Sequence, residues 1–263
     1  MKVFLIALAI MLITSCELPS IIEADQYIEP IPVNVSKKIP VSDNVWDRIR
    51  ITSENRQEYL DEKTIAYINA YLKNPSQLDM LFEKGRYFIY FVLDELERYS
   101  LPPELALLPY IESSYDPFSI SSSGAMGIWQ FMPATARIYG LKNNWWYEQR
   151  HDPLISSRAA VRYLAYLHNR FNKNITYTLA AYNGGPTLLE KRIKQNIQSG
   201  KPADYKNLKL PKQTLEYVPK FMAIREIIFN AKKYGITLPN FPNKPVLGSI
   251  ELNGQVEILA FSE

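Results

Sequence analysis

The pattern of hydrophobic and polar positions predicts helices along almost the whole chain from Trp46 onward. The first helix face defined by this spacing ends near Pro75 and carries Ile65, Ile68, Tyr71 and Leu72. Ser76 is then placed to cap a long helix that continues to Leu96. Within it, the run YFIYFVL at 87–93 is apolar enough for a buried strand. The charged helix formers on both sides, and the absence of turn signals, favour a buried helix.

The second half of the chain continues the helical pattern. Pro102 and Pro103 open a helix that ends at Glu112, because proline is tolerated in a first turn. Further helices are predicted from Ser156 or Ser157 as the N-cap, up to the glycines of AAYNGG, over 187–198 and over 214–234. The tail 241–263 fits either a hairpin around Asn253-Gly254 or a loosely docked helix. The sequence therefore predicts an all-α fold, with at most a short β-hairpin near the C-terminus.

Residues 1–15 have the pattern of a secretion signal: a basic start, an apolar run and small residues before Cys16. The apolar run is too short to cross a bilayer as a helix, since about 20 residues are needed. Cys16 is the only cysteine, and the string LITSC resembles the bacterial lipobox, in which the cysteine is lipidated. An ordinary signal peptide with a chance cysteine is the alternative. Residues 16–43 carry four prolines and no helical period, so we interpret them as a flexible tether.

Charge and histidine content exclude several classes of function. The formal net charge is +3 and no basic run forms a phosphate track, so no nucleic-acid partner is expected. His151 and His168 are 17 residues apart with no cysteine partner, which predicts no metal site. His168 lies on an apolar helix face and is interpreted as a core residue. The sequence also contains no glycine-rich phosphate loop, and no cofactor is predicted.

Glu112 is the candidate for chemistry because of its position at the end of the mostly apolar helix PELALLPYIE. A helix C-terminus carries partial negative charge, and both that charge and burial raise the pKa of a carboxyl group. A carboxylic acid that keeps its proton near neutral pH can protonate the leaving oxygen of a glycosidic bond. A single glutamate at a helix end is nevertheless most often a solvated surface charge.

The surrounding motifs favour a catalytic role for Glu112 over a surface charge. The string LPPELALLPYIESSYDPFSISSSGAMGIWQFMPATARIYGL closely resembles the catalytic core of lytic murein transglycosylases with the goose-type-lysozyme-like fold. The resemblance continues through WWYEQRHDPLISSRAAVRYLAYL, TLAAYNGGP and LKLPKQTLEYVPKFMAI, and it is closest to the membrane-bound murein transglycosylase D branch. It covers roughly residues 46–243. The implied division is a signal at 1–15, a tether at 16–43, an N-terminal helical region at 44–98, a lysozyme-like domain at 99–240 and a tail at 241–263.

The resemblance implies that Glu112 is the single acid/base. It would protonate the oxygen between N-acetylmuramic acid and N-acetylglucosamine, then take the proton of the muramyl C6 hydroxyl as that hydroxyl closes a 1,6-anhydro ring. An intramolecular nucleophile removes the need for the second carboxylate of ordinary glycosidases. Asp116 is accordingly interpreted as a turn former before proline, and Asp152 as a cap or as a structural partner of Arg150.

Other site residues are carried over from the family pattern. The predicted substrate-binding residues are Ser121, Gln130, Met132, Tyr182, Asn183 and Tyr217, with Gln130 and Met132 facing Glu112. Trp129 is interpreted as core. The chain departs from the family pattern at Gln213 and Leu215, where relatives have an acidic residue and an arginine. These departures put contacts from that segment to the substrate or to the acid in doubt.

Two alternatives stay open. One is a hydrolase of the same fold that uses water, and the other is a catalytically silent peptidoglycan-binding lipoprotein. The expected partners are peptidoglycan strands and, through a lipid on Cys16, a membrane. The expected location is the periplasmic face of a bacterial membrane, with the outer membrane favoured because Glu17 is not an aspartate.

Overall fold

The structure is a computed structural model that describes residues 42–52 and 60–248, with the side chains of 51 and 52 left out. Ten α-helices lie in these residues: α1 (Val45–Thr52), α2 (Glu62–Leu72), α3 (Pro75–Glu83), α4 (Ile89–Arg98), α5 (Leu108–Glu112), α6 (Pro133–Ile138), α7 (Pro153–Arg170), α8 (Ile175–Gly184), α9 (Pro186–Gln198) and α10 (Lys212–Phe229). Short 3-10 helices span Pro103–Leu107, Gln149–His151, Tyr205–Asn207 and Ala231–Tyr234. The all-α class is confirmed.

Within residues 42–52 and 60–248 the one sheet is an antiparallel hairpin of β1 (Asn143–Asn144) and β2 (Tyr147–Glu148). The hairpin predicted in the tail would lie around Asn253, outside the described residues. The part of the tail that is described, 241–248, makes an isolated bridge between Asn44 and Pro242. The predicted signal segment, Cys16 and most of the tether also lie outside the described residues.

The predicted long helix from Ser76 to Leu96 is wrong. It is divided into α3 and α4 by a turn at 84–88, and the run 87–93 enters α4 rather than a strand. The division is tertiary in origin, because the Tyr110 hydroxyl donates to the Phe82 carbonyl oxygen at 2.9 Å. The chain passes so close to that ring that a Cβ on Gly85 would lie 2.2 Å from the Tyr110 hydroxyl.

Two predicted helix caps are also wrong, for one shared reason. Ser76 lies inside α3, whose N-cap is Asn74, and Ser156 and Ser157 lie inside α7, whose N-cap is Asp152. Both helices have proline at their first position, where its fixed φ suits the helix and its missing N–H is not needed. The proline is therefore the stronger start signal, and Asp152 accepts hydrogen bonds from the amides of Leu154 and Ile155.

One hydrophobic core runs through the N-terminal helices and the rest of the domain. Trp46 of α1 stacks on Phe241 at 5.2 Å between ring centroids and lies 6.5 Å from Tyr110. Its indole N–H donates to the Pro239 carbonyl oxygen at 2.7 Å. Because Phe241 is 1% exposed, this end of the described chain is packed against the first helix.

Helix α10 lies across the fold and packs on α2 and α8. Its Glu216 accepts hydrogen bonds from Lys63 at 2.7 Å and from the Tyr67 hydroxyl at 2.8 Å, and both of these belong to α2. The N-terminal helical region thus holds the helix that carries Tyr217. None of the helices within 42–52 and 60–248 combines the length and the apolar character needed to cross a membrane.

Candidate active site

Glu112 is the last residue of α5, and the chain leaves that helix through an unusual turn. Ser114 and Tyr115 both have positive φ, at 57° and 60°. This conformation is disfavoured for residues with a Cβ, so the surrounding packing must hold it. Tyr115 supplies that packing, because it is 1% exposed and its hydroxyl donates to the Ala106 carbonyl oxygen at 2.6 Å. The position of Glu112 is therefore fixed by a buried tyrosine three residues further on.

The residue Glu112 is partly exposed, but protein surrounds its carboxyl group. Burial raises its pKa to about 7, and a hydrogen bond from Tyr217 opposes that rise. The Tyr217 hydroxyl donates to Oε1 of Glu112 at 2.5 Å. Within the described part of the chain no ion pair to Glu112 is found, so no cation offsets the cost of burying the charged form. Near neutral pH this carboxyl group holds its proton for a substantial fraction of the time.

Two tyrosines lie close to this carboxyl group. Tyr217 of α10 is 6% exposed, and burial followed by the charge of Glu112 holds its pKa well above the usual range. Tyr182 of α8 has a raised pKa for the same two causes in the same order. Its hydroxyl donates to the Trp129 carbonyl oxygen at 2.9 Å, so it does not donate to Glu112. Both tyrosines therefore stay protonated, and only Tyr217 donates to the acid.

The loop between Glu112 and α6 forms one wall beside the acid. Ser113 Oγ donates to the Ile128 carbonyl oxygen at 3.0 Å, which holds the end of α5 against this loop. Gly127 has φ of +76°, and a Cβ there would lie 1.8 Å from the Arg150 carbonyl oxygen. Only glycine fits both the backbone conformation and this close approach. Trp129 is fully buried and its indole N–H donates to Ser157 Oγ at 2.8 Å, which confirms the interpretation of Trp129 as core.

The remaining predicted substrate-binding residues line this loop or lie on α8. Gln130 has φ of +48°, and its amide nitrogen donates to the carbonyl oxygens of Gly127 at 2.9 Å and Ser119 at 3.2 Å. Ser121 Oγ accepts from the Ala125 amide at 2.9 Å. Met132 is 42% exposed rather than packed in the core. Gln130 and Ser121 thus stabilise the loop itself, and their contact with a substrate stays a prediction.

Asn183 is oriented by a residue that sequence reasoning missed. Its Oδ1 accepts from Thr214 Oγ1 at 3.0 Å, and Thr214 is 2% exposed. Thr214 lies between Gln213 and Leu215, the two positions that depart from the family pattern. Gln213 is exposed, whereas Leu215 packs partly buried against the core. The segment therefore still contacts the acid through Tyr217, and it orients Asn183 through Thr214.

The other polar residues considered in the sequence have structural partners. Asp116 accepts from the Phe118 amide at 2.9 Å, which confirms it as a turn former. Asp152 is confirmed as a cap, but Arg150 forms its ion pair with Glu148, at 2.7 Å, instead of with Asp152.

His168 is a core residue, as predicted. It is 6% exposed, its Nδ1 lies 3.0 Å from Thr178 Oγ1, and burial lowers its pKa to about 4. Within residues 42–52 and 60–248, no cluster of three or more His, Cys, Asp or Glu side chains is arranged to bind a metal ion.

Comparison with known proteins places this site in a family. Residues 90–205 match the model described as "Transglycosylase SLT domain". "Membrane-bound lytic murein transglycosylase D" of Escherichia coli (strain K12) is 37% identical over 188 residues, which are 72% of this chain and 42% of that protein. "Membrane-bound lytic murein transglycosylase F" of Alcanivorax borkumensis is 36% identical over 112 residues, 40% of this chain and 23% of that protein.

The chain spans less than half the length of these curated relatives. A solved structure of an inactive mutant of lytic transglycosylase Slt from Pseudomonas aeruginosa covers 73% of this chain and 33% of its own, with 20% identity and a TM-score of 0.46. The matched residues 90–205 include Glu112, the loop to Met132 and α8. Residues 90–205 of the chain therefore form a transglycosylase SLT domain.

Proposed function

We propose that the protein is a peptidoglycan lytic transglycosylase in which Glu112 is the single general acid/base. Two relatives are named lytic murein transglycosylases, and the family model is described as a transglycosylase SLT domain. The observation that carries the proposal is the environment of Glu112 at the end of α5, where Tyr217 donates to Oε1 at 2.5 Å and no ion pair is formed with any described residue. Burial there raises the pKa of Glu112 to about 7. A group with this pKa can both donate and accept a proton near neutral pH.

The proposed reaction begins with proton transfer from Glu112 to the glycosidic oxygen between N-acetylmuramic acid and N-acetylglucosamine. Because Tyr217 donates to Oε1, the other oxygen, Oε2, is the one that carries the proton. The C–O bond then breaks and the muramyl C6 hydroxyl attacks the anomeric carbon. Glu112, now a carboxylate, accepts the hydroxyl proton, so the product is a 1,6-anhydromuramyl end. No second carboxylate is needed, because the nucleophile belongs to the substrate.

Substrate contacts are proposed for the residues around this carboxyl group. The exposed Met132 offers an apolar surface to a sugar ring. Tyr182 uses its hydroxyl proton on the Trp129 carbonyl, so its ring face is what it presents to the substrate. Asn183, with its Oδ1 held by Thr214, suits recognition of an N-acetyl or hydroxyl group. Ser121 and Gln130 would contribute from the loop.

Product analysis tests the reaction type. Purified peptidoglycan is digested with the wild-type protein and the soluble products are analysed by mass spectrometry. Anhydromuropeptides, one water lighter than reducing muropeptides, support the proposal, and reducing products would assign a hydrolase instead. Binding without any release would assign a silent binding protein. Asp116→Asn is the matched control, because asparagine keeps the turn at the nearby carboxylate, and it should give wild-type products.

We also propose that the domain is held at the periplasmic face of a membrane by a lipid on Cys16. The sequence pattern of residues 1–16 supports this, as does the description "membrane-bound" in the names of two relatives. Cell fractionation of a Cys16→Ser variant tests it: the wild-type protein should sediment with membranes and the variant should not. Equal sedimentation of both proteins would contradict lipid attachment at this residue.

A further inference from the structure

Two tryptophans at the tip of the β1–β2 hairpin are almost fully exposed. Trp145 and Trp146 are 88% and 89% exposed, whereas the other two tryptophans of the chain, Trp46 and Trp129, are 2% and 0% exposed. Exposing two adjacent indole rings to water carries a hydrophobic cost, and such patches are typical of interaction sites. The tip residues Trp145 and Trp146, together called the tryptophan tip, therefore need an explanation outside the core.

The local fold does not supply that explanation. Asn144 pairs with Tyr147, so the two tryptophans form a two-residue hairpin loop. Such loops usually contain glycine or asparagine, because they favour positive φ, yet neither tryptophan has positive φ here. The turn is supported by Asn144, whose Oδ1 accepts from the Trp146 amide at 2.9 Å. Turn formation would proceed as well with small polar residues at both positions.

The hairpin is firmly attached to the loop that forms the wall beside Glu112. Arg150, just after β2, is 4% exposed, and its guanidinium group donates to the carbonyl oxygens of Gly124 at 2.9 Å and Phe131 at 3.2 Å. Glu148 binds the same guanidinium group at 2.7 Å. The hairpin that carries the tryptophan tip is thus joined to the loop beside Glu112 through Arg150 and Glu148.

The chemistry of the tip fits the sugar rings of a polysaccharide. Residues 143–147 contain no charged side chain, and they combine two indole rings with two amides and a tyrosine hydroxyl. The rings stand nearly perpendicular, at 89° with centroids 6.2 Å apart, so one can stack on the C–H face of a sugar while the other flanks it. Amide and hydroxyl groups can exchange hydrogen bonds with sugar hydroxyls. An anionic membrane surface would be expected to attract a cluster of basic residues, and Lys142 is the single basic residue within 141–149.

We propose that the tryptophan tip is a second sugar-binding element that holds the glycan strand beyond the cleft. This rests on the proposed function, because the ligand is the same polymer that Glu112 would cleave. In this proposal the tip contacts a part of the strand that lies outside the active site, so it contributes to the KM for long strands and not to the chemical step. The expected effect of removing both rings is a loss of about tenfold in affinity for long strands.

Tryptophan fluorescence gives a direct test. Binding is measured in a Glu112→Gln background, so that no turnover occurs, with soluble peptidoglycan strands of defined length freed of stem peptides. Since the other two tryptophans are buried, quenching by acrylamide reports on the tip. Long strands should protect the tip from acrylamide and shift the emission to the blue. The double variant Trp145→Phe/Trp146→Phe should lose this fluorescence change but keep most of the affinity for long strands. The double variant Trp145→Ala/Trp146→Ala should bind long strands about tenfold more weakly.

The control is Tyr87→Ala, which removes another exposed aromatic ring, 56% exposed, in the turn between α3 and α4. It should bind like the parent. Equal affinity of the alanine pair and the parent for long strands would overturn the proposal. Unchanged strand binding together with lost binding to phosphatidylglycerol vesicles would overturn it in favour of a membrane contact. If the wild-type protein releases no product but strand binding still depends on the tip, the proposed function fails and the tip proposal stands.

Discussion

Glu112 and Glu148 are both only partly exposed, yet their pKa values are shifted in opposite directions. Burial raises the pKa of Glu112 to about 7, and the hydroxyl of Tyr217 offsets only part of that rise. Hydrogen bonds from the Arg150 guanidinium group lower the pKa of Glu148 to about 2 despite its burial. One carboxyl group is thus able to exchange a proton near neutral pH, and the other is a permanent anion.

The difference comes from both burial and the partner: protein surrounds the Glu112 carboxyl group, whereas Glu148 lies nearer the surface and beside Arg150. A full positive charge with two donors in a fork holds Glu148 ionised, and the pair connects β2 to the loop through Arg150. Glu112 receives one hydrogen bond from the neutral Tyr217 hydroxyl. This bond is too weak to offset the free-energy cost of burying the charged carboxylate. The same residue type therefore stabilises a wall in one place and is suited to acid/base chemistry in the other.

The largest expected effect is the loss of activity when the Glu112 carboxyl group is replaced. Glu112→Gln should lower kcat for release of soluble peptidoglycan fragments by about 1,000-fold, because the amide can neither donate nor accept the transferred proton. The rate of release of soluble fragments is measured with each purified protein alone acting on purified peptidoglycan. Activity within tenfold of wild type would remove Glu112 from the acid/base role.

The same variant has a stability signature with a definite sign. The folded protein holds the Glu112 proton more tightly than the unfolded chain, since the pKa rises from 4.5 to about 7. That contribution to stability is complete below about pH 4.5 and is lost as the pH rises through about 7. Relative to wild type, the Tm of Glu112→Gln should therefore rise by a few degrees across this window. A Tm difference that does not change with pH would contradict the raised pKa.

The next largest effect is a loss of folding stability when Glu148 is replaced. Glu148→Gln should lower the free energy of unfolding by about 2 kcal/mol, because it leaves the buried Arg150 charge without its anion. For a chain of this size that corresponds to a Tm lower by roughly 4–8 °C. Since the pKa of Glu148 is lowered from 4.5 to about 2, the difference from wild type should be present above about pH 4.5 and disappear toward pH 2.

Glu83→Gln is the matched control for this prediction. Glu83 also binds an arginine, Arg86, at 2.6 Å, but the two side chains are 46% and 40% exposed. Exposed pairs contribute only about 0.2–1 kcal/mol, so its Tm should be close to that of wild type. Equal destabilisation by both variants would show that burial of Arg150 has no special effect.

The smallest effect concerns the hydroxyl that reaches Glu112. Tyr217→Phe removes a hydrogen bond that lowers the pKa of Glu112, so the pKa should move further above about 7. The alkaline limb of the pH–rate profile should shift to higher pH, and the neutral-pH rate should fall about tenfold as the carboxyl group loses its positioning contact. Tyr110→Phe removes a comparable buried hydroxyl, which donates to Phe82, and should leave the profile unchanged. Identical profiles for all three proteins would show that Tyr217 does not tune the acid.

Sequence patterns predicted the helices well because apolar periodicity reflects burial of one face. The same patterns failed where a distant residue decided the outcome. The contact between Tyr110 and Phe82, which are 28 residues apart, gives no local signal, although Gly85 was a local signal that the predicted helix could break there. The cap at Asp152 was predicted, and the cap at Asn74 could have been predicted in the same way, since each residue lies directly before a proline at the first helical position.

By itself, the sequence determined the all-α class, the candidate acid at the end of an apolar helix, and the family to which residues 90–205 belong. It also indicated that Trp129 and His168 belong to the core, because their neighbours are apolar at helical spacing. Only the tertiary structure decided that Tyr217, 105 residues from Glu112, donates to its carboxyl group, and that Tyr182 donates to a backbone carbonyl instead. Hydrogen bonding and desolvation depend on which atoms meet in space, and a pKa follows from that environment rather than from chain position.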